Sequence, residues 1–342
     1  MICYLSRNYK GLNSAGNKAK TDIEKIMKGL HYKNVGLEQT LYTNSLSAFI
    51  VTLMGVLLFP FRLHRGDVLI LQYPLKKYYV YVCRMAHLRG CKVVTLIHDL
   101  GSFRRQKLTV LHEIIRLNYS DYVIAHNSAM KNWLQEQGCK AILGELEIFD
   151  YLSEGINVKE YATSQSPYKV LYAGALASRK NKFLYDLEDH ISSYSFVLYG
   201  NGFEPERIKK KELFVYKGFV PSEELIATAE GDFGLVWDGN SIESCTGNFG
   251  EYLQYNNPHK TSLYIRCGLP VIIWEKAALA PFIREHKIGF SVASLKELHD
   301  ILPSISEQEY KEMKFNTLKI GECLSCGFYS SKAIARAIEL LK

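Results

Sequence analysis

Short, nearly continuous apolar runs alternate along this chain with longer stretches in which apolar positions return every three or four residues. In the first half the runs lie at Ile2 to Ser6, Val68 to Gln72, Lys92 to Ile97 and 122–125, with a weaker one at Asn34 to Gln39. They read as buried strands. Helices are expected between them from about Lys18 to Leu30, in the aromatic- and arginine-rich segment ending at Arg89, and over 107–118 and 128–137. In the second half, strands are expected at Lys169 to Ala173, Ser195 to Tyr199, Leu213 to Lys217, Phe233 to Trp237 and Pro270 to Trp274. Helices are expected from about Ser222 and over 294–302, 306–321 and 330–341. Such alternation implies parallel, doubly wound α/β sheets. Residues 150–167, DYLSEGINVKEYATSQSP, lose the period and gain Ser, Gly and Pro, and read as a link between two Rossmann-like domains.

One run stands apart. Ala48 to Phe61 is an apolar stretch of 14 residues interrupted by Pro60. That falls short of the roughly 20 residues a spanning helix needs. It is either a core helix or a partly exposed patch touching a bilayer or a partner, and a core helix is the favoured reading. The opening M-I-C-Y-L-S reads as a strand and not as a signal peptide.

The chain has 342 residues, room for two ordinary domains, and 47% hydrophobic with 23% charged residues is a globular composition. A net charge of +7, from 42 basic and 35 acidic residues, suits phosphorylated or lipid-linked anionic substrates and a cytoplasmic membrane surface. No nucleic-acid-binding motif accompanies it, so no nucleic-acid partner is expected. Of eight scattered cysteines only Cys323 and Cys326 form a C-x-x-C. Without a second pair, free thiols in a reducing cytoplasm are the expectation. The expected setting is cytoplasmic, at the inner face of the cell membrane.

The stretch Tyr255 to Trp274, YNNPHKTSLYIRCGLPVIIW, reads as loop, helix and strand. Asn256 or Asn257 can cap the helix, Pro258 suits its first turn, and Gly268 with Pro270 ends it. Lys260, Thr261 and Ser262 then flank backbone N–H groups at the positive end of a helix, an arrangement that binds phosphate. The plain alternative is a surface helix start with a solvated lysine. In open α/β sheets ligands sit beyond the carboxyl ends of strands, so the strand-end loops supply the other candidates. GALASRKNK offers Gly174, Arg179 and Lys180. Arginine can grip a diphosphate with a bidentate fork while lysine acts as a point charge. Arg179 and Lys260 could neutralise a diphosphate from two sides, and with no D-x-D triplet in the chain no metal site is expected. Tyr199 and Gly200, in Y-G-N-G, can pass beside a ribose or phosphate, or form a plain turn. Ser14 and Gly16 lie in the loop after the first strand, where glycine lets backbone approach a sugar or phosphate closely. The strand K-V-V-T-L-I runs directly into His98 and Asp99, with Arg104 and Arg105 close behind.

The segment GEYLQYNNPHKTSLYIRCGLPVII resembles the nucleotide-binding segment of bacterial galactofuranosyltransferase-like sugar transferases. These have the GT-B fold, and a related branch glucosylates streptococcal adhesins. The resemblance is strongest over 168–292. It implies two Rossmann-like doubly wound domains facing a cleft: an acceptor domain over 1–155 and a nucleotide-sugar donor domain over 166–329. The last helix, 330–342, is expected to pack back on the acceptor domain, and closure about the 150–167 link is expected. It implies a UDP-sugar donor with no further cofactor, Phe219 and Val220 of G-F-V-P bordering uracil, and a glycan or lipid-linked saccharide acceptor. Galactofuranose is the candidate sugar, in surface polysaccharide or glycoconjugate synthesis. Peripheral membrane contact and a homo-oligomer are compatible with it. Glu243 and Glu251 show the E-x7-E spacing of many retaining relatives, but Ser262 and Leu263 hold the place of the second glutamate before the C-G-x-P-V turn. This departure favours an inverting displacement. Asp99 is the expected general base, with His98 and then Asp238 as alternatives. Rival readings are a sugar-nucleotide epimerase of the same fold and a non-catalytic partner subunit.

Overall fold

The computed structural model describes residues 1–9, 15–104, 108–157 and 167–342; for residues 15, 16, 76 and 104 it describes the backbone alone. The chain divides into two units, Met1–Tyr151 with Cys326–Lys342, and Leu152–Ser325.

The first unit holds strands β1 (Ile2–Tyr4), β2 (Lys33–Asn34), β3 (Val68–Tyr73), β4 (Lys92–Ile97), β5 (Tyr122–Ala125) and β6 (Ile142–Glu145). They pair in parallel in the order β2-β1-β3-β4-β5-β6. Leu69, Ile70 and Leu71 of β3 and Val93, Val94 and Leu96 of β4 are buried. Both faces of these central strands are covered, which is why they read as continuous apolar runs. The chain's last helix, Phe328–Leu341, belongs to this unit and packs on β5, β6 and the helix Ala15–Gly29. Its buried positions, among them Tyr329, Ala333, Ile334, Ala337 and Ile338, follow helical spacing. Asp150 accepts the first-turn N–H groups of Tyr329 and Ser330 at 3.2 and 2.6 Å. Burial raises the carboxyl of Asp150 to about 6.

The second unit holds β7 (Tyr168–Ala175), β8 (Tyr194–Asn201), β9 (Phe214–Gly218), β10 (Phe233–Val236), β11 (Val271–Trp274) and β12 (Gly289–Val292). All are parallel, in the order β12-β11-β10-β7-β8-β9. Numbered within the unit this is 3-2-1-4-5-6, the dinucleotide-binding doubly wound order, and the first sheet follows the related 2-1-3-4-5 pattern with one strand more. The order reverses between β1 and β3 in one sheet and between β7 and β10 in the other.

Three departures from the sequence reading have local causes. The Ala48 to Phe61 run is part of a longer helix, Ser45–Arg62, with Pro60 inside it, and it is not a core helix. Ala48, Gly55, Val56, Phe59 and Pro60 are buried, while Leu46, Phe49, Ile50, Met54, Leu57 and Phe61 are exposed. The edge strands β6 and β12 escaped the reading because I-L-G-E and G-F-S-V are short, half-covered and interrupted by glycine or serine. The segment from Asn34 to Gln39 pairs only at Lys33–Asn34, and the helix read over 107–118 is observed at Val110–Leu117, with residue 107 outside the described set.

Candidate active site

In the second unit the loops leaving β7 and β10 meet at the reversal of strand order, where a ligand crevice is expected. Tyr172, buried near the end of β7, donates its hydroxyl to Asp238 Oδ1, just past β10, at 3.2 Å. Lys260 reaches the same oxygen from the first turn of the helix His259–Arg266, with Nζ 2.9 Å away. It also donates to the Tyr172 hydroxyl at 3.2 Å and the Trp237 carbonyl at 3.4 Å, and lies 4.5 Å from the Tyr172 ring centre. An ammonium group has three N–H donors, and these contacts occupy all three. Lys260 is therefore not the solvated lysine that the sequence offered as the plain alternative. Its side chain keeps 16% exposure and that of Asp238 21%, so an incoming anion can reach the pair by displacing the long bond to Trp237.

The helix carrying Lys260 begins one residue later than expected. Pro258 takes the N-cap position in an extended conformation and no side chain caps the turn. Neither Asn256 nor Asn257 serves as the cap, and Asn257 is 4% exposed. Thr261 and Ser262 are buried, and the Thr261 hydroxyl has no hydrogen-bond partner among the described residues. Of the side chains proposed from this turn, Lys260 is the one left partly open.

The loop after β7 is held by a residue the sequence reading passed over. Asn181, buried, donates to the Ala175 carbonyl at 2.7 Å and accepts from the Gly239 N–H at 3.2 Å, tying the two crevice loops together. Arg179 and Lys180 stand exposed on this loop, their side chains making no hydrogen bond or ion pair among the described residues. A Cβ on Gly200 would lie 1.9 Å from the carbonyl oxygen of Gly174 on the adjacent strand, so the Gly174–Gly200 pair is explained by strand packing. The Tyr199 hydroxyl accepts the Glu230 N–H at 3.2 Å. Tyr199, Gly200 and Asn201 therefore close strand β8 and do not form the plain turn that the sequence offered. Past β9, Phe219 is exposed and Val220 half-buried, leaving an apolar surface open.

In the first unit the reversal between β1 and β3 gathers a second cluster. The Lys20 carbonyl, which can only accept, takes a hydrogen bond from Gln72 Nε2 at 3.1 Å and so fixes the orientation of that amide. Gln72 Oε1 then faces His98 Nε2 at 2.6 Å, which makes Nε2 the protonated nitrogen. Gln72 Nε2 also donates to the Tyr9 hydroxyl at 3.3 Å, and Tyr9 donates to Glu24 Oε1 at 2.5 Å. Ser6 donates to Glu24 Oε2 at 2.6 Å. His98 stacks on Phe149 at 5.4 Å. Asp99 is half-buried beside it, at the start of a loop that Glu113 clamps. Glu113, fully buried, accepts from Gly101 N at 2.9 Å, Ser102 N at 2.8 Å, Ser102 Oγ at 2.5 Å and the Tyr73 hydroxyl at 2.8 Å. Ser14, Arg105 and the side chain of Arg104 lie outside the described residues, and Gly16 is the second residue of the helix Ala15–Gly29.

Burial raises the Glu24 carboxyl from 4.5 to about 7, against the opposing pull of its Ser6 and Tyr9 hydrogen bonds. Its folded value thus lies above its unfolded one, so the folded protein holds a proton that the unfolded chain has released. The resulting stability is complete at low pH and is lost as pH rises from about 4.5 through about 7. Glu24→Gln should remove this dependence. The variant should match wild type near pH 5 and melt at a higher temperature near pH 8, by an amount corresponding to about 3 kcal/mol. Parallel melting curves over that range, with no relative gain for the variant at high pH, would contradict the assignment.

Two family models match this chain: Glucosyltransferase 3-like, N-terminal domain, over residues 2–148, and Glucosyltransferase 3-like, C-terminal domain, over residues 170–337. The beta-1,6-galactofuranosyltransferase WbbI of Escherichia coli K12 is 33% identical over 96% of each chain. Glucosyltransferase 3 of Streptococcus gordonii is 26% identical over 94% of this chain and 93% of its own. The crystal structure of a glycosyltransferase from Rickettsia africae superposes with a TM-score of 0.60 at 14% identity, covering 100% of this chain and 98% of that one. At that identity the likeness concerns the fold. The end-to-end match to WbbI concerns the family: the chain belongs to the galactofuranosyltransferase and glucosyltransferase 3-like sugar transferases of the GT-B fold.

Proposed function

We propose that this protein transfers a glycosyl group, galactofuranose being the leading candidate, from a UDP-sugar to a hydroxyl of a glycan or lipid-linked saccharide in surface polysaccharide synthesis. The observation carrying the reading is the Tyr172–Asp238–Lys260 cluster at the β7/β10 reversal. It places a cation at a helix start where a diphosphate is expected. Exposed Arg179 supplies a second cation from the neighbouring loop, and Phe219 and Val220 an apolar surface for uracil. The transferase relatives favour transfer over epimerisation of the bound nucleotide sugar.

In the proposed reaction the acceptor oxygen attacks the anomeric carbon. The bond from that carbon to the diphosphate oxygen breaks, and UDP leaves with the electron pair. Lys260 and Arg179 stabilise its developing charge. Asp99 takes the acceptor proton, and the anomeric configuration inverts. A thermal-shift screen of nucleoside diphosphates tests the donor. UDP at about 100 times its dissociation constant should stabilise by roughly 2.7 kcal/mol, and a preference for another base would remove UDP from the reading.

The charge account needs no divalent ion. Among the described residues no three His, Cys, Asp or Glu side chains gather as metal ligands would. Turnover should therefore survive EDTA unchanged. Activity lost in EDTA and recovered with Mg²⁺ or Mn²⁺ would mean that a metal, and not Lys260 with Arg179, carries the leaving-group charge.

A further inference from the structure

We propose that the outward face of the helix Ser45–Arg62 is a docking surface by which this protein lies flat on an anionic lipid bilayer. The inference is independent of the nucleotide and acceptor assigned above. Leu46, Phe49, Ile50, Met54, Leu57 and Phe61 are each at least 44% exposed. Their spacing of three, four and seven residues puts them on one stripe along the whole helix. A contiguous exposed apolar face of this kind marks an interaction surface. The opposite face is anchored: Val56 and Phe59 are buried in the unit, and a Cβ on Gly55 would come within 3.5 Å of the Leu37 backbone. The helix is long and apolar enough to cross a membrane. Spanning would tear that anchored face out of the core, whereas docking leaves it in place.

The charges flanking the helix in sequence, with Lys77 and Arg62 at the stripe itself, decide between a bilayer and a second protein copy. Between residues 39 and 98 the chain carries seven lysines and arginines and a single acidic residue, Asp67. Asp67 is 3% exposed and is paired with the terminal ammonium of Met1 at 2.7 Å. Lys77 Nζ lies 4.9 Å from the centre of the exposed Phe49 ring, so a cation borders the stripe directly. Arg62 ends the helix and Arg65, exposed, follows it. A two-fold contact between copies would set this basic rim against itself. An anionic headgroup layer instead attracts it while the apolar stripe enters the acyl boundary.

The test is co-sedimentation with vesicles of phosphatidylethanolamine containing about one third phosphatidylglycerol, with pure phosphatidylcholine vesicles in parallel. The wild type should bind the anionic vesicles at least about tenfold better, and an alkaline carbonate wash should release it. The triple variant Ile50→Ser, Leu57→Ser, Phe61→Ser should bind about tenfold more weakly, with UDP affinity and melting temperature unchanged. Phe61→Ser alone, at a position 80% exposed, is the fallback if the triple variant folds poorly. Lys77→Glu should abolish most of the preference for anionic lipid. Equal binding to both vesicle types would overturn the proposal. So would retention after the carbonate wash, which would mean a spanning helix. A wild-type dimer that the serine variant turns into monomers would show that a second copy covers the stripe, and would overturn it too.

Discussion

Asp99→Asn should lower turnover by about 10²–10⁴-fold while leaving UDP affinity nearly unchanged. The substitution keeps the shape and removes the basicity. Asp99 follows β4 and His98, and the segment just after it is fixed by three hydrogen bonds that Glu113 accepts from Gly101 N, Ser102 N and Ser102 Oγ. A base held on a clamped segment keeps its position when an acceptor binds. His98 is the rival, and the geometry constrains it. Its Nε2 proton is directed at Gln72 Oε1, whose amide is fixed by the Lys20 carbonyl, so that nitrogen cannot accept a proton. Proton uptake by His98 would have to use Nδ1. His98→Gln should accordingly cost less turnover than Asp99→Asn, and the product anomer, followed by NMR, should be inverted. Near-normal turnover in the Asn variant, or a retained anomer, removes Asp99 from the role. A larger loss in His98→Gln gives the role to the histidine.

The parallel sheets were legible because the central strands are buried on both faces, as in V-L-I-L-Q-Y and K-V-V-T-L-I. The helix start at His259 was legible from N-N-P-H-K, to within one residue. What escaped depends on contacts distant in sequence. Asp238 lies 22 residues before Lys260 and Tyr172 lies 88 before it, so nothing local announces that the three share one hydrogen-bonded cluster. Gln72, Tyr9 and Glu24 are similarly separated, and none forms a motif. Their signal was polarity inside otherwise apolar positions: a glutamine within V-L-I-L-Q-Y and a glutamate on the buried face of an amphipathic helix. A buried polar residue needs a partner, and its partner is commonly another such residue. The helix Ser45–Arg62 failed in the opposite direction. Hydrophobicity all round a helix argues for burial, and here one apolar face is covered and the other open.

The ion pair at the β7/β10 crevice sets two roles for Lys260 against each other, contact with a diphosphate and neutralisation of Asp238. Lys260→Ala should weaken UDP binding by roughly ten- to a hundredfold, the 1.5–3 kcal/mol of one charge-assisted contact. That result alone is ambiguous, because the variant also leaves the Asp238 carboxylate unneutralised and repelling the diphosphate. Asp238→Asn separates the two effects. Asparagine keeps an oxygen for the Tyr172 hydroxyl and returns a full positive charge to the crevice, so UDP should bind severalfold more tightly. In the double variant the repulsion is absent and the lysine is still missing. If Lys260 contacts the diphosphate, the double variant should remain at least about tenfold weaker than wild type, with a coupling energy between the two sites of roughly 0.5–3 kcal/mol. If Lys260 only neutralises Asp238, the double variant should bind UDP as wild type does. Calorimetry on the four proteins at one salt concentration distinguishes these outcomes. Raising the salt should weaken UDP binding most in Asp238→Asn, where the freed ammonium is least covered.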